Sequence, residues 1–186
     1  MSDDEIERYQ ESLKNRQLFL RHQQLLENRD GSIGTKSGEY VAFFFPRLNY
    51  FLGKYLRYGG VYPDGVIRLF KRNKAYLPAK SVHEQMVVMG KVGWLQHDLM
   101  HIDSPTFARY LKRNSRYIDL IAAELKEQKV KKDLFQFISY TLYKPLEWFL
   151  MTSIRHKGVL DGYQGIVFSF FSALRFPRAY WRYLIT

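Results

Sequence analysis

The chain changes character at Ser104-Pro105. Before that point apolar residues come in short runs rich in aromatic and β-branched types, the pattern of buried strands. After it they recur every three or four residues, the pattern of helices packed on one face. Tyr40–Phe45, Val66–Phe70, Val82–Met89 and Val92–Ile102 read as strands, with turns at Gly59-Gly60, Pro63-Asp64-Gly65 and Gly90. Ser104 with Pro105 at the first helical position reads as a helix start. Phe107, Tyr110, Leu111, Asn114, Ile118, Ile121, Ala122 and Leu125 then line one face. A second helix is expected from about Asp133 to His156, kinked at Pro145 and stopped at Gly158, and a third over Asp161–Leu174. Ahead of the strands, Ser2 caps a helix whose first turn holds Asp3, Asp4 and Glu5, and this helix is expected to run towards Leu26. The expectation is an α/β chain with strands in the first hundred or so residues and a helical C-terminal region. Residues 1–103 form the α/β part and 104–186 the helical part.

Composition narrows the chemistry. No cysteine occurs, which excludes a disulfide scaffold, a thiol nucleophile and an iron–sulfur cluster. Lys and Arg number 29 against 18 acids, a net charge of +11, and 17% of residues are aromatic. Such a surface suits an anionic bilayer, nucleic acid or a phosphorylated substrate. The longest uncharged stretch, Gly162–Leu174, is thirteen residues, against the ~20 that a spanning helix needs. Tyr143, Trp148, Phe149, Phe168, Phe170, Phe171, Trp181 and Tyr183 lie among Lys144, Arg155, Lys157, Arg175, Arg178 and Arg182. Aromatics interspersed with cations suit the headgroup layer of a membrane, and the same rings serve equally as core.

The densest polar cluster is Arg47-x-Asn49-Tyr50-Phe51-x-Gly53, then Arg57-Tyr58-Gly59-Gly60-x-Tyr62-Pro63-Asp64 and Arg68-Leu69-Phe70. Val82-His83-Glu84 and a late His101 follow. Farther on come Asn114-Ser115-Arg116-Tyr117 and Lys157-Gly158-x-Leu160-Asp161-Gly162-x-x-Gly165. As a set, from about Tyr40 to Tyr183, these resemble the C-terminal half of family-2 glycosyltransferases, in particular the branch that builds lipopolysaccharide inner cores.

The resemblance implies the C-terminal part of a nucleotide-diphospho-sugar transferase fold of the A type. It implies transfer of a sugar from a nucleotide-sugar donor to a lipid-linked saccharide, at the inner face of the cytoplasmic membrane. The sequence carries no helix-turn-helix, Lys/Arg-rich tail or RNA-binding aromatic signature, so nucleic acid is not favoured as a partner. Glu84 would be the base that deprotonates the acceptor hydroxyl. Tyr62, Asp64, Arg68 and His83 would lie on the substrate side. Arg68 holds a phosphate or carboxylate through its fork, or pairs with Asp64 to fix the turn. Asp64 contacts the acceptor, or only caps the Pro63–Gly65 turn. A divalent cation, Mg or Mn, would neutralise the leaving diphosphate, with His101 as a ligand. The family's donor-binding half and its Asp-x-Asp metal motif have no counterpart here. Ser2-Asp3-Asp4-Glu5 opens a helix with no strand before it, so the chain is expected to be a C-terminal fragment or a split subunit. The competing class is a non-catalytic basic-aromatic module on a membrane or a nucleic acid.

Overall fold

The protein is described here from a computed structural model covering residues 2–78 and 85–186. Helices α1 (Asp3–Ser12) and α2 (Arg16–Asp30) precede strands β1 (Tyr40–Phe51), β2 (Lys54–Tyr55), β3 (Asp64–Phe70), β4 (Ala75–Tyr76), β5 (Val87–Val88), β6 (Lys91–Trp94) and β7 (Leu99–Ser104). Then come α3 (Phe107–Glu127), α4 (Leu134–Ile138), a π-helical turn (Ser139–Tyr143), α5 (Lys144–Leu150), a second π-helical turn (Met151–Arg155), a 3-10 turn (Gly158–Asp161), α6 (Tyr163–Ala173) and α7 (Arg175–Ile185). The architecture is mixed α/β, with a sheet in the N-terminal half and helices in the C-terminal half. β1 is the hub: the five-stranded sheet runs β2-β1-β3, and β6 and β7 also pair with β1. A second, two-stranded sheet pairs β4 with β5.

The chain divides into two units that interleave along the sequence. One comprises Met1–Leu48 and Tyr62–His101, the other Asn49–Val61 and Ile102–Thr186. The stretch Asn49–Val61 thus groups with the helices, which a linear division of the chain does not anticipate.

In the first unit β1 pairs antiparallel with β3, from Ala42↔Phe70 to Arg47↔Asp64, and parallel with β6. Trp94 is the centre of the core. Its ring stacks between Phe19 at 4.7 Å and Phe44 at 4.6 Å, and its indole N–H donates to Gln23 Oε1 at 3.0 Å. Gln10 on α1 mimics a neighbouring strand. Its amide accepts from the Trp94 backbone N–H at 2.7 Å and donates to the Trp94 carbonyl at 3.0 Å, closing backbone groups that an edge strand would otherwise expose. Gly65, opposite, has no room for a methyl group: a Cβ there would lie 2.4 Å from Trp94 Cη2.

The N-terminal expectation is met at its start and corrected beyond it. Ser2 and Glu5 form a reciprocal capping box on α1. The helix does not continue to Leu26, because Leu13 adopts an extended conformation and turns into the core, and a second helix starts after Asn15. Val92–Ile102 is likewise two strands, β6 and β7, parted by residues 95–98. The expected strand Val82–Met89 is described only from Gln85 onward, where β5 holds two residues.

In the second unit Phe51, Leu56 and Tyr110 form a buried cluster against Phe168 and Phe171. Leu125, Tyr140, Tyr180 and Tyr183 form another, with Tyr140 and Tyr180 stacked at 4.9 Å. Ser104 is not the cap of α3. It is buried at the end of β7, where its carbonyl accepts from Leu52 N–H at 3.1 Å, and Thr106 caps the helix instead, accepting from Arg109 N–H. Pro145 does not end the second helix. It has no N–H to give and its ring crowds the carbonyl four residues back, at Thr141, and that residue lies in the first π-helical turn, where the ladder is already loosened. The helix stops one residue before the expected glycine, where Lys157 takes the left-handed conformation at φ 58°. The basic tail forms a further helix, α7.

Candidate functional site

Of the polar residues singled out in the sequence, Arg47, Tyr62 and Asp64 make contacts in the first unit, and Arg57 and Asp161 meet in the second. In the first unit the β1–β3 register sets Arg47 opposite Asp64. The guanidinium closes on one carboxylate oxygen, Nε at 2.8 Å and Nη2 beside it. Both side chains are partly exposed, so this pair anchors a strand end more than it stabilises the fold. Asp64 therefore pairs across the sheet with Arg47 and not along its own strand with Arg68, which is exposed on β3. Nearby in sequence, Tyr62 donates its hydroxyl to Asp98 Oδ1 at 2.7 Å. His22, from α2, accepts the Gly65 backbone N–H on Nε2 at 3.1 Å. That bond requires an unprotonated Nε2. Burial holds the His22 pKa below the ordinary histidine value, against the pull of Asp64.

Three contacts thus converge on residues 62–65 at the start of β3: Arg47 with Asp64, Asp98 with Tyr62 and His22 with the Gly65 N–H. The half-exposed Asp64 carboxylate, held by an arginine, and the Tyr62 hydroxyl, held by a second carboxylate, both offer oxygen atoms able to accept hydrogen bonds. Sequence reasoning quoted Arg47 only as part of a motif and missed Asp98 and His22. Their signal is tertiary: His22 lies 43 residues from Gly65, and Asp98 lies 36 from Tyr62. His101 sits on β7. Among the described residues no three or more His, Asp or Glu side chains gather as a metal site. His83 and Glu84 lie outside the described residues.

In the second unit the Leu-Asp-Gly segment has a clear structural role. Asp161 is buried, and its Oδ2 accepts the backbone N–H groups of Arg57 at 3.0 Å and Tyr58 at 2.8 Å. The Asp161 carbonyl accepts from Lys54 Nζ at 2.8 Å, and Gly59 N–H donates to the His156 carbonyl at 2.8 Å. One carboxyl therefore fixes the Arg57-Tyr58-Gly59-Gly60 turn. The glycines around it are there for space. A Cβ on Gly165 would fall 1.9 Å from the Gly158 carbonyl oxygen, and one on Gly158 would fall 2.7 Å from the Thr152 carbonyl oxygen.

The aromatics of this unit sort into two groups. Tyr183 is buried, Phe168 and Phe171 pack on Tyr110, and Trp148 donates its indole N–H to Ser172 Oγ at 2.8 Å. Arg175 lies over the Trp148 ring, 4.8 Å from its centre, and burial lowers its pKa. Tyr143, Phe170 and Trp181 are exposed. No helix among the described residues is long and apolar enough to cross a membrane. No protein-family model matches the chain, and no solved structure matches it.

Proposed function

We propose that the chain is a family-2-like glycosyltransferase, carrying the acceptor-side part of an A-type nucleotide-diphospho-sugar transferase fold. It moves a sugar from a nucleotide-sugar donor to a lipid-linked saccharide at an anionic membrane surface. The observation that carries this reading is the meeting of two separately recognised motifs. Asp161 of Leu160-Asp161-Gly162 takes the amides of Arg57 and Tyr58 from the Arg-Tyr-Gly-Gly turn, across 104 and 103 residues. A chance assortment of weak motifs has no reason to interlock in this way. The Arg47–Asp64 pair, built from two further pieces of the pattern, adds to it.

In this reading Glu84 takes the proton of the acceptor hydroxyl as its oxygen bonds to the anomeric carbon. The bond from that carbon to the diphosphate breaks in the same step, and the nucleoside diphosphate leaves. Tyr62 and Asp64 bind saccharide hydroxyls, and Arg68 and His83 complete the substrate side. The partner surface is a membrane and not nucleic acid.

The test is the mass of the lipid-linked saccharides in cells lacking the gene. The expected result is a saccharide shortened by one sugar, restored by the wild-type gene and not by Glu84→Gln at equal protein level. An unchanged saccharide in the deletion refutes the transfer. Full restoration by Glu84→Gln refutes that residue as the base.

A further inference from the structure

The helical segment from Leu134 to Arg155 carries an apolar row with a period of four: Leu134, Ile138, Leu142, Leu146, Leu150 and Ile154. All six are exposed, Leu134 by 73%, Leu142 by 64% and Ile154 by 65%. Offset from them by two residues, Tyr140 and Thr152 are buried and Trp148 is partly buried. In a regular α-helix a four-residue step overshoots a full turn by about 40°, so five steps would carry such a row about 200° round the axis. Here α4 and α5 alternate with two π-helical turns, which hold more residues per turn. The wider turns cancel the overshoot and keep the row straight. π-helical turns are rare and cost regular hydrogen bonding, so a segment that uses two to align exposed leucines has a use for the alignment.

Charge identifies the occupant. The unit that bears the row holds 16 Lys and Arg against 7 acids, so +9 of the chain's net +11 resides there. Exposed Lys129, Lys131 and Lys132 immediately precede the row, and exposed Arg155 and Lys157 immediately follow it. A flat apolar row with cations at both ends matches an anionic bilayer, acyl chains under the leucines and headgroup phosphates at the ends. A second copy of the chain would bring two such cationic borders together. We propose that Leu134–Ile154 is the membrane-inserting face, lying in the plane of an anionic bilayer. The proposal rests on the membrane-surface part of the function above and names the surface that makes the contact.

The experiment is flotation of the purified chain with vesicles of equimolar phosphatidylcholine and phosphatidylglycerol. These vesicles hold no saccharide, so the outcome is independent of glycosyl transfer. The wild type is expected to float, and Leu142→Glu/Leu146→Glu to lose its partition by about tenfold or more. Leu25→Glu/Leu77→Glu adds the same charge at exposed leucines of the other unit and is expected to keep binding. Leu142→Gln/Leu146→Gln, which leaves net charge unchanged, is expected to bind weakly as well, with an unaltered thermal transition in each variant. Failure of the wild type to float overturns the proposal. So does equal loss in the two glutamate variants, which would reduce the attraction to net charge. A wild-type dimer that Leu142→Glu/Leu146→Glu converts to monomer, with vesicle binding unchanged, overturns it in favour of self-association.

Discussion

Asp161→Ala is the sharpest single perturbation of the second unit. It removes the acceptor of two backbone N–H groups, at 3.0 and 2.8 Å, in a residue only 2% exposed. A hydrogen bond to a charged group contributes about 1.5–3 kcal/mol, and each buried donor left unmade costs about 1–3 kcal/mol. These overlap, and the net cost is about 3–5 kcal/mol, a large share of the ~5–15 kcal/mol that holds a domain together. Asp161→Asn keeps an acceptor oxygen in place and loses only the charge, for a cost of about 1–2 kcal/mol. Lys54 is an internal control, because its bond goes to the Asp161 carbonyl, which both variants retain. Urea denaturation followed by circular dichroism measures the difference. At a slope of about 2 kcal/mol per molar, the alanine variant should lose about 1.5–2.5 M in midpoint and the asparagine variant less than half that. Equal losses in the two variants, or an alanine loss under about 1 kcal/mol, would refute the clamp.

Gly165→Ala should prevent the second unit from folding as described, since its methyl group meets the Gly158 carbonyl at 1.9 Å; native fluorescence and a cooperative thermal transition are the readouts. Gly65→Ala should cost about 1–3 kcal/mol by displacing Trp94, and an unshifted denaturation midpoint would contradict the packing. His22 has a depressed pKa, so the native state takes up fewer protons than the unfolded one. Its contribution is complete above the ordinary value near ~6.5 and is lost as pH falls below it. The difference in stability between wild type and His22→Gln should therefore change between about pH 7 and 5, and parallel profiles would exclude the effect. Burial pushes Tyr110 up to about 12, so the latest part of the tyrosine titration by absorbance should shrink in Tyr110→Phe; the cost of Tyr110 to stability should grow as pH rises above ~10.

How much of this was legible in the sequence depends on the range of the interactions. The cap at Ser2 with its acidic first turn and the buried face of α3, with Tyr110, Asn114, Ile118 and Leu125, follow from local spacing and are found. Local spacing also suggested one helix to Leu26, and tertiary burial of Leu13 overrode it. Ser104-Pro105 has the composition of a helix start, yet the Ser104 carbonyl is committed to Leu52, so the start moved to Thr106. Asp161 was visible as part of a motif, but its partners at Arg57 and Tyr58 were not, because nothing local links residues a hundred apart. His22 and Asp98 were missed for the same reason. The exposed leucine row was hidden by its period, which fits neither a strand nor a regular helix.

The interleaving of the two units has a practical side for anyone who would divide this protein. Three junctions, at 48/49, 61/62 and 101/102, separate the units, so no single cut yields either one whole. A chain ended after His101 would retain Arg57 and Tyr58 but not the carboxyl that receives their amides. A chain begun at Ile102 would retain Asp161, Phe168 and Tyr110 with Phe51 and Leu56 removed from beside them. Proteolytic fragments should consequently remain associated after a nick and denature when separated. Grafting the helical part onto another scaffold means transplanting residues 49–61 with it.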